Sequence, residues 1–193
     1  TIHLHGVDHP FLDANGEGND GPPQTSEMPV MPGASRTYEM QPRQPGTMFY
    51  HCHVQPQIHI LMGLNGMFVV EENRPDNWLQ TMNVGAGEVR HPSQAVLENY
   101  DSEHDLHYMD ADRQLHDLIQ RHNDQRLTIE QMHRRYDITD GTTDYYMLNG
   151  RSFPYTFRES LVVAQADQRI KLRVLNGGQH GICLLYTSDA ADE

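Results

Sequence analysis

Lysine is almost missing from this chain. Lys171 is its sole lysine, and 14 of the 193 residues are Lys or Arg against 27 Asp or Glu, a formal charge of -13. A surface built for duplex nucleic acid needs the opposite sign, because it must displace counterions from phosphates. Nucleic acid is therefore not an expected partner. Cysteine is scarce as well: Cys52 and Cys183 are the two present, too few for a disulfide scaffold. No run of about 18 apolar residues occurs, so no transmembrane helix is expected. No basic stretch leads into an apolar one in the manner of a signal peptide. A Cys-x-x-Cys-His site for covalent haem is also lacking. What remains is a polar chain in the globular range, 37% hydrophobic and 21% charged. Its length suits one or two domains. Two residue types are plentiful, with 13 His and 10 Met.

The ends read differently from the middle. The chain opens at Thr1, inside a His-x-His motif, and the run from Leu184 to Glu193 resembles translated sequencing-adapter read-through. The expectation is an internal fragment with a non-native tail at 183–193. The absence of a targeting signal then carries no information about compartment.

Three stretches follow from the pattern. Residues 1–75 read as β: Arg36–Met40 alternates weakly, Gly46–His51 is rich in strand formers, and Gly66–Glu71 is a short apolar strand. Gly and Pro clusters separate these pieces, as in a sandwich or barrel. Residues 76–140 are acidic, histidine-rich and largely helical in pattern. Leu115, Leu118 and Ile119 share one helical face, and Thr128-Ile129-Glu130-Gln131 reads as a capping box opening a second short helix. This stretch is taken as a connector. From 141 to 182 β character returns: Asn149-Gly150 is a turn signal, and Ile170–Leu175 alternates apolar and basic residues, the mark of a half-buried strand. That unit is too short to close a sandwich alone.

Two clusters carry chemistry: His3-Leu4-His5-Gly6, and His51-Cys52-His53 followed by His59 and Met62. Side chains alternate along a strand. His3 and His5 therefore share one face, His51 and His53 share one face, and Cys52 points the other way. Two histidine pairs can build a metal site on one side while the thiolate serves a second site behind it. The covalent path through Cys52 then links the two sites for electrons. Imidazole with one thiolate and a thioether is the donor set of blue copper; zinc favours several thiolates or a closed four-ligand set. A lone His-x-His is a weak signal, and the conjunction of both clusters is what raises it. His116 and His133 read as solvated or half-buried helix residues, in a polar stretch that also holds His104, His107 and His122. His104 and His107 sit three apart, a spacing that could bind a metal but is weak on its own. His91, before Pro92, reads as a loop residue, and Met67 as core.

These motifs resemble a multicopper oxidase. The matching stretches are Thr1–Gly6, Asp20-Gly21-Pro22, Pro32-Gly33, Pro45–Val54 and Met62–Met67, and Tyr146–Phe153 resembles the opening of a second domain. The resemblance implies a mainly β protein of cupredoxin-like, plastocyanin-like Greek-key sandwich domains with a partly helical connector. The expected division is a domain at 1–75, the connector at 76–140, and the start of a second domain at 141–182. It also implies roles: His3 on the type 2 copper; His5, His51 and His53 on the type 3 pair; Cys52, a later His and Met62 on type 1. The implied activity is a laccase-like oxidation of a phenol, amine or metal ion, coupled to reduction of dioxygen to water. A periplasmic or extracellular location comes with it.

The chain departs from the family pattern in three ways. The type 1 histidine usually lies five residues after the cysteine, where Gln57 stands here; His59, seven after, is expected to serve. A second type 1 histidine would precede Thr1. A complete cluster needs further histidine motifs from another cupredoxin domain. A cysteine in the first domain resembles two-domain oxidases that assemble as homotrimers. Two alternatives stand beside this reading: a nitrite reductase-like enzyme, whose cysteine lacks the second flanking histidine, and a non-enzymatic copper carrier.

Overall fold

Gly and Pro punctuation cuts the first seventy residues into short extended pieces, and three of them pair. In the computed structural model, which describes residues 1–42, 45–71, 79–84, 87–92, 100–122, 125–137 and 143–180, β1 (Ile2–His5) and β3 (Asn65–Val70) flank β2 (Gly46–Cys52). Both pairings are antiparallel. The register sets His3 opposite His51, Ile2 opposite Cys52 and His51 opposite Asn65. Because pleated side chains alternate, this register puts the odd-numbered histidines of both strands on one face.

Between β1 and β2 the chain loops widely and is tied by buried polar groups. Asn19, 2% exposed, bonds the carbonyls of Pro10 and Glu39 and accepts from the Glu39 N–H. Arg36–Met40, expected as a strand, lies in this loop. Its polar anchors explain why: Arg36 pairs with Glu17 and Glu27, and the Tyr38 hydroxyl donates to Glu27 and accepts from the Ile2 N–H. Side-chain bonds hold this segment where a ladder would otherwise.

The stretch expected to be largely helical contains three strands. β4 (Leu79–Val84) and β5 (Gly87–Pro92) form a two-stranded antiparallel pair, so His91 falls on a strand rather than in a loop. β6 (Ser102–Ala111) is ten residues long and carries His104 and His107. It is flanked on both sides, by β7 (Tyr145–Leu148) antiparallel and by β9 (Ile170–Asn176) parallel, in a sheet of order β8-β7-β6-β9. Such non-local pairing overrides a polar, helix-like local pattern. Asn149 and Gly150 turn the chain into β8 (Arg151–Ser152) with φ of 52° and 77°, as a two-residue hairpin demands.

Two helices follow β6 in the region where they were expected. α2 (Arg113–Gln120) is capped by Asp112, whose side chain accepts from the Leu115 N–H. α3 (Gln125–Arg135) begins three residues before Thr128, which is therefore not its cap. The Thr128 hydroxyl instead donates to the His122 carbonyl. Leu115, 1% exposed, is the centre of a core with Ile58 and Met132; Leu61, Met62, Leu118, Ile119, Ile129 and Tyr136 pack around it. The helical pair thus sits on the segment that follows Cys52. A short turn, α4 (Thr156–Glu159), completes the described elements.

β9 keeps its expected strand but inverts the expected faces. Arg173 is 6% exposed and Leu172 is 50% exposed. Arg173 pairs with Glu103 on β6 and reaches the Thr47 hydroxyl on β2. A buried guanidinium persists only when paired, and this one fastens the four-stranded sheet to the three-stranded one. Cys183 and the tail at 183–193 lie outside the described residues.

Candidate metal centre

β1 and β2 bring four imidazoles together. Ring centroids of His3 lie 4.8 Å from His5, 5.6 Å from His51 and 5.3 Å from His53. His51 lies 5.0 Å from His5 and 5.5 Å from His53. His53 sits just past β2, and its N–H donates to the Thr1 carbonyl, which extends the pairing by one step.

Hydrogen bonds fix which ring nitrogens are free. His3 Nδ1 lies 2.7 Å from the Asp20 carbonyl, to which it donates, so Nε2 carries the lone pair. His51 Nδ1 stands in the same relation to the Cys52 carbonyl at 2.9 Å. His5 Nε2 and His51 Nε2 face each other at 2.9 Å, a contact that needs one proton between them. His53 Nδ1 is buried with no hydrogen-bond partner. Gly21 makes the Asp20 contact feasible. Its φ is 99°, and a Cβ there would come within 2.3 Å of the Ile2 carbonyl oxygen, so only glycine lets this loop approach β1.

Burial disfavours charge on two of these rings. Burial lowers the His5 pKa from its ordinary 6.5, helped by repulsion from His3, His51 and His53. Burial likewise lowers His51 and His59. Neutral imidazole is the form that binds a metal.

Cys52 pairs across from Ile2, on the opposite face. Its sulfur lies 3.1 Å from His59 Nδ1. The local fold makes this contact. Gln55 adopts a left-handed conformation (φ 52°), Pro56 starts a single turn, α1 (Pro56–His59), and the Ile58 and His59 N–H groups donate to the Gln55 carbonyl. The chain then folds back until Leu64 O accepts from Cys52 N at 2.9 Å. Gln57 is exposed on this turn, and His59 is the residue turned to the thiol. The two residues beyond the usual spacing are coiled into the turn. Met62 packs in the core with Ile58, Leu115 and Met132.

The donor chemistry fits copper: an orphaned buried imidazole nitrogen and three further imidazoles on one face, and a thiol against an imidazole on the other. Among the described residues no three His, Cys, Asp or Glu side chains form a set able to hold one ion by themselves. Each face supplies part of a site.

A family model described as multicopper oxidase matches residues 1–75. Residues 1–75 are thus similar to a domain of multicopper oxidases. An iron transport multicopper oxidase of Gibberella zeae is 40% identical over 73 residues, which are 37% of this chain and 11% of that protein. A laccase of Metarhizium acridum is 32% identical over 82 residues, 42% of this chain and 12% of that protein. The matched part thus spans about a tenth of the length of these curated multicopper oxidases. Among solved structures, the blue copper oxidase from Nitrosomonas europaea aligns with a TM-score of 0.55 at 23% identity, over 93% of this chain and 45% of that one. The multicopper oxidase mgLAC gives 0.59 at 20% identity, over 92% and 44%. These likenesses carry the fold: mainly β and cupredoxin-like, extending through the second half of the chain.

The sequence reading missed two residues at this centre. Asn65 and His107 meet beside the Cys52 loop, 2.9 Å apart. Asn65 lies within the matched stretch Met62–Met67 but offers no metal donor pattern, and His107 reads only as one of a weak pair with His104 in a helix-like stretch.

Proposed function

We propose that this chain is the part of a copper-dependent oxidase that holds a type 1 site and half of a trinuclear cluster. The observation that carries the reading is the division of donors across one strand: His3, His5, His51 and His53 on one face, Cys52 against His59 on the other. Copper bound to such donors would take single electrons from a small donor on the thiolate side and deliver them to dioxygen, giving water, on the imidazole side.

The chain's own residues do the rest. His3 offers Nε2 to a type 2 ion because Asp20 occupies its Nδ1. His5, His51 and His53 would serve a type 3 pair, with the proton now held between His5 and His51 carried on His5 Nδ1 so that both Nε2 atoms could act as donors. Cys52, His59 and Met62 serve type 1. One peptide unit on either side of Cys52 joins the two faces, so the electron path is short and covalent. α2 and α3 cover the Ile58–Met62 side of the loop and keep water from it.

The missing donors come, in this reading, from histidine motifs of another cupredoxin domain, or of a neighbouring copy in a homotrimer with copper between subunits. Dioxygen and a phenol, amine or metal ion are the partners, in a periplasmic or extracellular setting. No helix among the described residues is long and apolar enough to cross a membrane. A nitrite reductase-like enzyme has no use for the His53 ring, and an electron carrier has none for the His3/His5 pair.

Replacing His53 by Ala in the full-length protein tests the reading. Oxygen uptake with a phenolic donor should vanish while the blue absorption of the thiolate site stays. Oxygen uptake that survives the change would overturn the assignment.

A further inference from the structure

The Cys52–Met62 loop is held from the second half of the chain, and one contact does so through a single side chain. Asn65 Nδ2 donates to the Ile60 carbonyl at 3.0 Å, clipping the segment that contains Met62. Asn65 Oδ1 accepts from His107 Nε2 at 2.9 Å. Both ends of the amide are therefore committed, and its orientation is set by the imidazole. The imidazole is anchored in turn. The His107 N–H donates to Asn149 Oδ1 at 2.8 Å, and the His107 carbonyl accepts from the Asn149 N–H at 2.8 Å. The hairpin turn at Asn149-Gly150 thus fixes the backbone that carries the ring.

The packing around this pair admits nothing more. Gly177 is buried, and a Cβ on it would stand 2.4 Å from Asn65 Oδ1 and 2.7 Å from His107 Nε2. Real Cβ contacts are never that close, so the glycine leaves the hydrogen bond its space.

We propose that His107, acting through Asn65, is a positioning residue that sets the geometry of the Cys52–His59–Met62 loop and thereby the properties of a metal bound there. The inference rests on the thiolate-site reading above. Outer-shell partners of metal ligands commonly change affinity by about 10- to 100-fold when removed.

The test uses cobalt(II) and copper(II) with the full-length protein. The readouts are the thiolate-to-metal absorption band, the copper hyperfine splitting and the cobalt affinity. With His107→Leu, cobalt binding at the thiolate site should weaken about tenfold, and the band and splitting should shift. His107→Gln, which restores an N–H donor to Asn65, should return both toward wild type. Gly177→Ala leaves both partners in place but pushes them apart, so it should reproduce the His107→Leu spectrum; it decides the matter if His107→Leu fails to fold. Variants that melt earlier yet keep the wild-type band and affinity would overturn the proposal alone, assigning the pair a purely structural role. A wild-type protein that shows no thiolate band with either metal would overturn the thiolate-site reading, and the proposal with it.

Discussion

The two faces of β2 are organised in opposite ways. On the imidazole face, His3, His5 and His51 ride on paired strands, and the pleat together with the register sets their spacing. On the thiolate face only Cys52 belongs to the sheet; His59 and Met62 sit on a loop whose shape comes from α1 and from residues more than forty positions away. A strand pair fixes its side chains cheaply, since ladder hydrogen bonds form whatever else packs nearby. A loop is fixed only as well as what covers it. The thiolate face should therefore be the adjustable one, sensitive to changes far from its donors. The imidazole face should respond chiefly to its own residues.

Removing a donor should separate the faces most sharply. Cys52→Ser in the full-length protein should erase the blue band completely while copper bound to the imidazole face keeps its resonance signal; loss of both signals would mean that the faces are not independent. The next effect is in packing. Leu115→Ala empties the core between the helical pair and the loop, and burial this complete predicts a loss of about 2–5 kcal/mol in denaturant unfolding. The same variant should broaden the thiolate band and leave the imidazole-face signal unchanged, and the reverse pattern would break the contrast.

The smallest expected effect is in pH. Burial lowers His5, His51, His59 and His107 below 6.5 in the folded chain. Below pH 6.5 the unfolded chain then binds more protons than the folded one, so stability falls as pH falls and is fully present above that value. Urea titrations of the metal-free protein from pH 7.5 to 5.5 should show this decline. His5→Gln should flatten it, because His5 sits where three other rings repel its proton.

Much of this was legible in the sequence, and the reasons differ from residue to residue. That His51 and His53 share a face opposite Cys52 follows from a period of two and needs no structure. That His3 lies across from His51 needs the register, which no local pattern carries. The contact of His59 with Cys52 was expected from the residue types, but its cause, a left-handed Gln55 that starts a turn, is a backbone choice that glutamine does not advertise. The helical face of Leu115, Leu118 and Ile119 was readable because it is periodic. Its target, the metal-ligand loop, was not. β6 reads as polar and helix-like because its support comes from β7 and β9. Arg173 was the hardest residue to place: alternation put Leu172 inside, and a pair with Glu103 reversed it.

The dependence of the Cys52 loop on Leu115, Met132 and His107 also has a consequence for the order in which the protein is made. Synthesis runs from the amino end, so all four imidazoles have left the ribosome once His53 has emerged. The supports of the thiolate loop follow about fifty to a hundred residues later, ending with the Asn149 turn. The nascent chain therefore presents its own four imidazoles before anything supports its thiolate pocket. Within this chain, the thiolate pocket should be the last part to take its final shape.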